Sequence, residues 1–308
     1  MKKVIAVVGP TASGKSALAV AIAKQVGGEV VSADSMQIYR DMPVANAVAT
    51  EEEQQGIKHH LIEFLPLGET YSVARFVDDA KRVIDDIVGR GKIPVVAGGT
   101  GLFIDSLFKN ISFVNSGKTQ EIRQKLFERA EKEGNMALYD ELKKIDPAAA
   151  EKIHPNNVNR VVRALELFYS TGIKISEQVE MSTATPSDID VFYVGINYAD
   201  RQALYDRINK RVDLMMENGL EEEARRVLSS SLSETSKQAI GHKELAQYIN
   251  GSVTKQEAVE KLKRETRRYA KRQITWFKRN KEIHWFFPDE DEAFQEHAIQ
   301  AVENFLKG

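Results

Sequence analysis

Gly9-Pro10-Thr11-Ala12-Ser13-Gly14-Lys15-Ser16 has the spacing G-x-x-x-x-G-K-S, the pattern of a loop whose backbone N–H groups converge on phosphate oxygens. The helix that this loop opens adds the partial positive charge of its N-terminus, and Lys15 adds a full one. The Ser16 hydroxyl is of the type that ligates Mg²⁺ held between phosphates. The bound group is therefore expected to be a di- or triphosphate, as in ATP-binding loops of this type. Two further groups of residues could join it. Asp34 follows a short apolar run, Val30-Val31, and Gly98-Gly99-Thr100-Gly101 follows another, Ile93 to Ala97. Between Lys261 and Asn280, nine Lys or Arg residues face one Glu, interleaved with Tyr269, Trp276 and Phe277. Such a surface can track a nucleic-acid backbone and stack a base, although a solvated charged face is the ordinary alternative.

The elements that must position these residues follow from hydrophobic periodicity. Val4 to Val8 is a β-branched run suited to a buried parallel strand, and Leu18, Ile22 and Val26 continue as a helix. Glu29 to Ala33 and Ile93 to Ala97 are predicted as further parallel strands. In an open α/β sheet, ligands gather beyond the carboxyl ends of the strands. That rule brings Asp34 and the second glycine turn beside the phosphate loop, with a plain turn or helix cap as the alternative role for Asp34. The strand ending at Ala97 carries no acid of the kind that organises water attack in nucleotide hydrolases, which favours transfer to a bound acceptor. The spacing predicts a helix over Ser72 to Val88. Glu51 to Glu53 should open a short helix, with His59-His60 near its end as a structural pair.

From about Ser116 the sequence turns polar and helical, with helices predicted at Glu121 to Lys132, Met136 to Ile145 and Val158 to Ser170. Asp146-Pro147 and His154 to Asn157 read as the turns between them. Arg160 and Arg163 open the third helix, where a bound anion or a nearby acid such as Glu166 would offset them. A strand at Val191 to Asn197 restores the core. Helices at Arg201 to Glu217, Glu221 to Leu228 and about Lys255 to Arg279 follow, with a basic turn at Ser236 to Lys243. The fold class expected is α/β: a P-loop NTPase-like parallel sheet flanked by helices, with an inserted all-helical subdomain. The boundaries are 1–115 with 188–308 for the core and 116–187 for the insertion.

The chain has 308 residues, 42% hydrophobic and 29% charged, with a net charge of −2 and no cysteine. Any nucleic-acid contact must come from local patches, and thiolate chemistry is excluded. No apolar run approaches the ~20 residues that span a bilayer, so a cytoplasmic protein without a membrane segment is expected.

With these pieces located, the sequence closely resembles the tRNA dimethylallyltransferases, also called tRNA isopentenyltransferases. The resemblance runs through GPTASGKS, SADSMQIYR from Ser32, HHLIE from His59 and YSVARF from Tyr71. It continues through AGGTGLF from Ala97, HPNNVNRVVRALE from His154, QAIGHKE from Gln238 and RRYAKRQITWFKRN from Arg267. It implies transfer of a dimethylallyl group from dimethylallyl diphosphate to the exocyclic amine of the adenosine 3′-adjacent to the anticodon, with Mg²⁺ on Ser16. Gly9, Pro10, Thr11, Ala12, Ser13, Gly14, Lys15 and Ser16 would cradle the diphosphate.

By the same resemblance Asp34, Thr100 and Arg211 would be catalytic, with Asp34 taking the amine proton and Arg211 holding the leaving group. Asp34, Ser35, Met36, Gln37 and Thr100 would meet the target nucleotide. Arg123, Arg160, Arg163, Gln238, Gly241, His242, Lys243, Lys271, Arg272, Gln273, Trp276 and Lys278 would contact the anticodon stem-loop. A monomer is expected. The chain departs from the family pattern at Pro43 to Ala49, where an Asp-Ile-Gly-Thr-Ala-Lys-Pro run is usual, and at His242 and Phe103, where tyrosine is usual. Neither His242 nor Phe103 touches the proposed proton transfer, while the Pro43 to Ala49 change bears on substrate detail and tRNA affinity. Rival readings are a P-loop small-molecule kinase, prenylation of free adenine nucleotides, and a tRNA-binding protein without catalysis.

Overall fold

Val4, Ile5, Ala6, Val7 and Val8 are wholly buried, as a strand covered on both faces of a parallel sheet must be. In this computed structural model, which describes residues 1–109, 111, 120–183 and 187–308, they form the centre of β1 (Lys2–Val8). The chain continues with α1 (Lys15–Val26), β2 (Glu29–Ser32), α2 (Pro43–Asn46) and α3 (Glu51–Gln54). Then come β3 (His59–His60), α4 (Val73–Gly89), β4 (Pro94–Gly98) and α5 (Gly101–Phe108). Helix α4 forms where predicted: Ser72 caps it by accepting from Arg75 N at 3.1 Å, and Phe76, Val77, Ala80, Ile84 and Ile87 bury one stripe.

After five helices, described below, β5 (Ile189–Ile196), α11 (Arg201–Glu217) and α12 (Leu220–Leu228) return to the sheet. A 3₁₀ turn at Ser236–Gln238 leads to α13 (His242–Ile249), α14 (Lys255–Phe277), β6 (His284–Phe286) and α15 (Phe294–Lys307). The six strands are parallel in the order β3-β2-β4-β1-β5-β6. Strand β1 lies between β4 and β5, so the chain runs to one side of β1 and later returns to the other. That reversal opens a crevice at the carboxyl edge.

Three stretches of chain differ from the sequence reading. His59-His60 is an edge strand and not a helix end; His60 Nε2 lies 2.7 Å from the buried Glu29 carboxylate, which Arg90 and Lys92 also grip. Beyond Asn280 the sequence reading made no assignment, yet β6 extends the sheet and α15 packs Ala298 and Val302 into the core beside Leu18 and Ile22. The Ser236 to Lys243 turn ends in the first residues of α13.

Residue contacts divide the chain into two compact units, Met1–Phe108 with Asp188–Gly308, and Lys109–Ser187. The boundary expected at 115–116 lies outside the described residues. The second unit holds five helices where three were predicted: α6 (Gln120–Glu133), α7 (Asn135–Ile145), α8 (Pro147–Lys152), α9 (Val158–Thr171) and α10 (Ile175–Thr183). Asp146-Pro147 does more than turn the chain. Pro147 sits in the first turn of α8, where its missing N–H costs nothing, and Asp146 accepts from Ala149 N and Ser176 N, both at 3.0 Å. Leu126, Leu138, Leu142, Val161, Val162 and Leu165 form that unit's core.

Candidate active site

The phosphate loop is set by the end of β1 and the start of α1. Gly14 takes a left-handed conformation, φ 95°, which a side chain would resist. The helical ladder begins with Leu18 N on Gly14 O, so the Lys15 and Ser16 amides are first-turn donors without an intrahelical partner. A cavity of 380 Å³ opens there, lined at this end by Thr11, Lys15 and Ser16. Asp34, Ser35, Met36 and Gln37 form the adjoining wall, and Ala97 and Gly98 the floor. Arg211 from α11 and Tyr269, Arg272 and Gln273 from α14 close the far side. An apolar stretch is made by Ala45, Ala47, Ala49, Ile62, Val212, Met215, Ile240 and Leu262.

The electrostatics of this cavity favour an anion. Burial pulls the Lys15 ammonium down to about 8, and repulsion from Arg211 adds to the effect while Asp34 opposes it. Arg211 is likewise lowered by burial, with Asp34 and Glu53 acting against the shift. Two partly buried cations line one cavity, and among the described residues neither has a carboxylate within ion-pair distance. Lys15 Nζ donates to the Pro10 carbonyl at 3.0 Å, which supplies no countercharge; charges taken out of water without one are costly, and an anionic ligand between them would relieve both.

Asp34 serves as a cap and also faces the cavity: its Oδ1 accepts from Met36 N at 2.9 Å, while the residue lines the wall. Thr100 is not among the lining residues. Its Oγ1 accepts from Ser35 N at 3.0 Å and donates to Ser35 Oγ at 3.3 Å, so it holds Ser35 from behind. Gln37 is fixed by Ser32 Oγ, which donates to Oε1 at 2.9 Å, and its Nε2 reaches the carbonyls of Asn46 and Ala47. The sequence offered Tyr269 as one of the aromatics that could stack a base on a nucleic-acid surface. Its phenol is raised by burial and by the charge of Asp34, and it lines the same cavity as Asp34 and Gln273.

The residues expected to meet RNA divide into two groups. Gln238, Lys243, Lys271, Arg272 and Lys278 are exposed on the first unit, and Arg123 and Arg160 are exposed on the second. Others turn inward. Gln273 and His242 are buried, Gly241 is buried, and Trp276 donates from Nε1 to Asp105 at 2.9 Å. Arg163 pairs with the buried Glu166 at 3.1 Å, the neighbouring acid that the sequence offered as an alternative to a bound anion. Of the nine cations near the end of α14, Lys263 pairs with Asp213 at 2.7 Å, Arg268 with Glu265 at 2.7 Å, and Arg267 bonds Asn209 at 2.5 Å. The basic face is therefore narrower than the composition suggested, centred on Lys271, Arg272 and Lys278.

A parallel sheet with a glycine loop opening its first helix, and two cations lining a cavity at its carboxyl edge, defines an α/β protein with a cationic pocket beside that loop. The family model described as IPP transferase matches residues 37–280, a span that begins after the phosphate loop and so does not depend on it. The chain belongs to that family.

Among its relatives, the tRNA dimethylallyltransferase of Caldanaerobacter subterraneus is 48% identical over 297 residues, covering 96% of this chain and 94% of the relative. That of Acetivibrio thermocellus is 46% identical over 99% of this chain and 98% of its own. A crystal structure of tRNA Δ2-isopentenylpyrophosphate transferase from Staphylococcus epidermidis superposes with a TM-score of 0.72 at 39% identity, covering all of both chains. A eukaryotic dimethylallyltransferase described as acting on tRNA reaches 0.85 at 30% identity, covering 100% of this chain and 80% of that one.

Proposed function

We propose that this protein is a tRNA dimethylallyltransferase, moving the prenyl group of dimethylallyl diphosphate to the exocyclic amine of the adenosine 3′-adjacent to the anticodon. The observation that carries the reading is that Lys15, Arg211 and Asp34 line one cavity at the carboxyl edge of the sheet. Relatives with 46–48% identity over nearly the whole length bear that enzyme's name, which disfavours a small-molecule kinase or a free-nucleotide prenyltransferase.

In this reading the amine nitrogen attacks C1 of the prenyl group, a C–N bond forms, and the C1–O bond to diphosphate breaks. The electron pair of the broken bond leaves with diphosphate, whose growing charge Lys15, Arg211 and the loop amides stabilise. The amine's lone pair is delocalised into the adenine ring, so Asp34 orients it and accepts its proton as the bond forms. Thr100 acts through Ser35, holding the wall against which the base rests. The target base must leave its stack to reach the cavity. Lys271, Arg272 and Lys278, with Gln238 and Lys243, are the groups we assign to the phosphates of the anticodon stem-loop, and Arg123 and Arg160 serve the same partner from the helical unit.

The donor set suits Mg²⁺. The Ser16 hydroxyl and the Asp34 carboxylate line the cavity, and hard oxygen ligands are what this cation selects. No group of three His, Cys, Asp or Glu side chains stands ready for a metal among the described residues, so the ion would enter with the diphosphate on Ser16. Bound there, it would offset part of the diphosphate charge.

The test is incubation with labelled dimethylallyl diphosphate and Mg²⁺ against three acceptors: unmodified tRNA, AMP and none. Label should pass to tRNA alone. Transfer to AMP, or phosphorylation that needs ATP, would overturn the assignment.

A further inference from the structure

Tyr269, Gln273 and Trp276 are spaced four and three residues apart, so they share one face of α14. All three address the same short stretch of chain. Tyr269 lies close enough to Thr100 for the hydroxyl to act on its phenol, and the Trp276 indole packs where a Cβ on Gly101 would sit. Gln273, only 5% exposed, reaches further. Its Oε1 accepts from Thr11 N in the phosphate loop at 2.8 Å, and its Nε2 donates to Gly99 O in the second glycine turn at 2.9 Å. One planar amide thus bolts together two loops that come from different strands. The fit leaves no slack, because a Cβ on Gly99 would overlap the Gln273 amide nitrogen.

We infer that Gln273 is a positioning residue for the diphosphate cradle, and that it ties the cradle to the basic face of α14. The inference rests on the reading of the phosphate loop as the donor site and of α14 as an RNA-facing helix. A buried amide of this kind gains its effect by holding loop atoms in the productive geometry before the ligand arrives. Lys271 and Arg272 immediately precede Gln273 and are exposed. An RNA phosphate seated on them restrains the same turn of helix that restrains Thr11 and Gly99. Gln273 then influences donor binding without touching RNA itself.

The experiment measures two affinities separately in the full chain: inorganic pyrophosphate with Mg²⁺ by calorimetry, and unmodified tRNA by filter binding. Gln273→Met keeps the side-chain length and removes both hydrogen bonds, stranding a donor and an acceptor in the interior. The expected result is about tenfold weaker pyrophosphate binding, with a matching rise in donor KM, kcat within about threefold, and tRNA affinity within about twofold.

Gly99→Ala displaces the same amide from the other side and should give the same pattern. Combined with Gln273→Ala, which clears the overlap, its effect should be less than additive. Tenfold weaker tRNA binding with unchanged pyrophosphate affinity would overturn the inference and make Gln273 an RNA contact. Fully additive losses would overturn it as well. A wild-type chain that binds pyrophosphate but transfers nothing would instead sink the functional reading, and the clamp would still be judged by the pyrophosphate arm.

Discussion

Replacing Glu223 by Ala should weaken the fold and the donor site together. The Glu223 carboxylate is fully buried and accepts three hydrogen bonds: from Val44 N at 2.8 Å, from Ala45 N at 3.0 Å, and from His242 Nε2 at 2.8 Å. An acceptor on that side requires the His242 Nε2 to carry a proton. Two of the three departures from the family pattern, the Pro43 to Ala49 segment and His242, therefore meet on one side chain. Glu223→Ala leaves two backbone N–H groups and an imidazole without an acceptor in the interior. Losing one partner of a buried charged network costs about 3–5 kcal/mol, a large part of a typical total of about 5–15 kcal/mol.

Glu223→Gln keeps one carbonyl oxygen but turns an amide N–H₂ toward a donor, so a smaller loss, about 1–3 kcal/mol, is expected. The functional effect follows from position, since Ala45 and Ala47 line the cavity and Glu223 holds the start of their segment. Donor KM should rise several-fold in Glu223→Gln. Urea denaturation followed by circular dichroism gives the stability change, and initial rates at varied donor give KM. A loss below 1 kcal/mol in Glu223→Ala, with unchanged KM, would refute the reasoning.

Two other expectations concern charge. Glu29, 2% exposed, is held well below the ordinary carboxylate range chiefly by Arg90, with Lys92 and His60 assisting against the cost of burial. A depressed carboxylate contributes stability above its unfolded value of about 4.5 and loses it as pH falls below that value, because the unfolded chain then binds the extra proton. The wild type should therefore lose stability from about pH 5 downward more steeply than Glu29→Gln, as read from melting temperatures across that range; parallel curves would contradict the assignment. Removing Lys271 and Arg272 together should weaken tRNA binding and flatten the slope of log affinity against log salt by about 2. An unchanged slope would mark that face as merely solvated.

Much of this site was legible because its determinants are local. The phosphate loop is a run of eight residues whose glycines and lysine act at fixed offsets, and the strand before it and helix after it follow from short-range periodicity. Asp34 could be placed by the rule that ligands gather at carboxyl strand ends, and it lines the cavity as that rule requires. The inward-facing residues were harder. His242 stands next to exposed Lys243, and nothing in their spacing says that one meets Glu223 while the other meets water. Gln273 did carry a signal, since it lies three residues after Ala270 and four before Phe277, both buried, which puts it on the interior stripe of α14. The stripe Phe294, Ala298, Val302 and Phe305 likewise has helical spacing and packs in the core. By contrast β3 has two residues, too few for any period to show, and it is made a strand by pairing with β2.

The central claim is that the Asp34 carboxylate, at the edge of the cavity, takes the proton as the adenine amine displaces diphosphate. Single-turnover transfer with both substrates saturating isolates that step. Asp34→Asn keeps the shape and the cap on Met36 N but cannot accept the proton. Its transfer rate should fall by about 10²–10⁴ while pyrophosphate and tRNA affinities stay near those of the wild type. A variant that transfers the prenyl group at the wild-type rate would contradict the account.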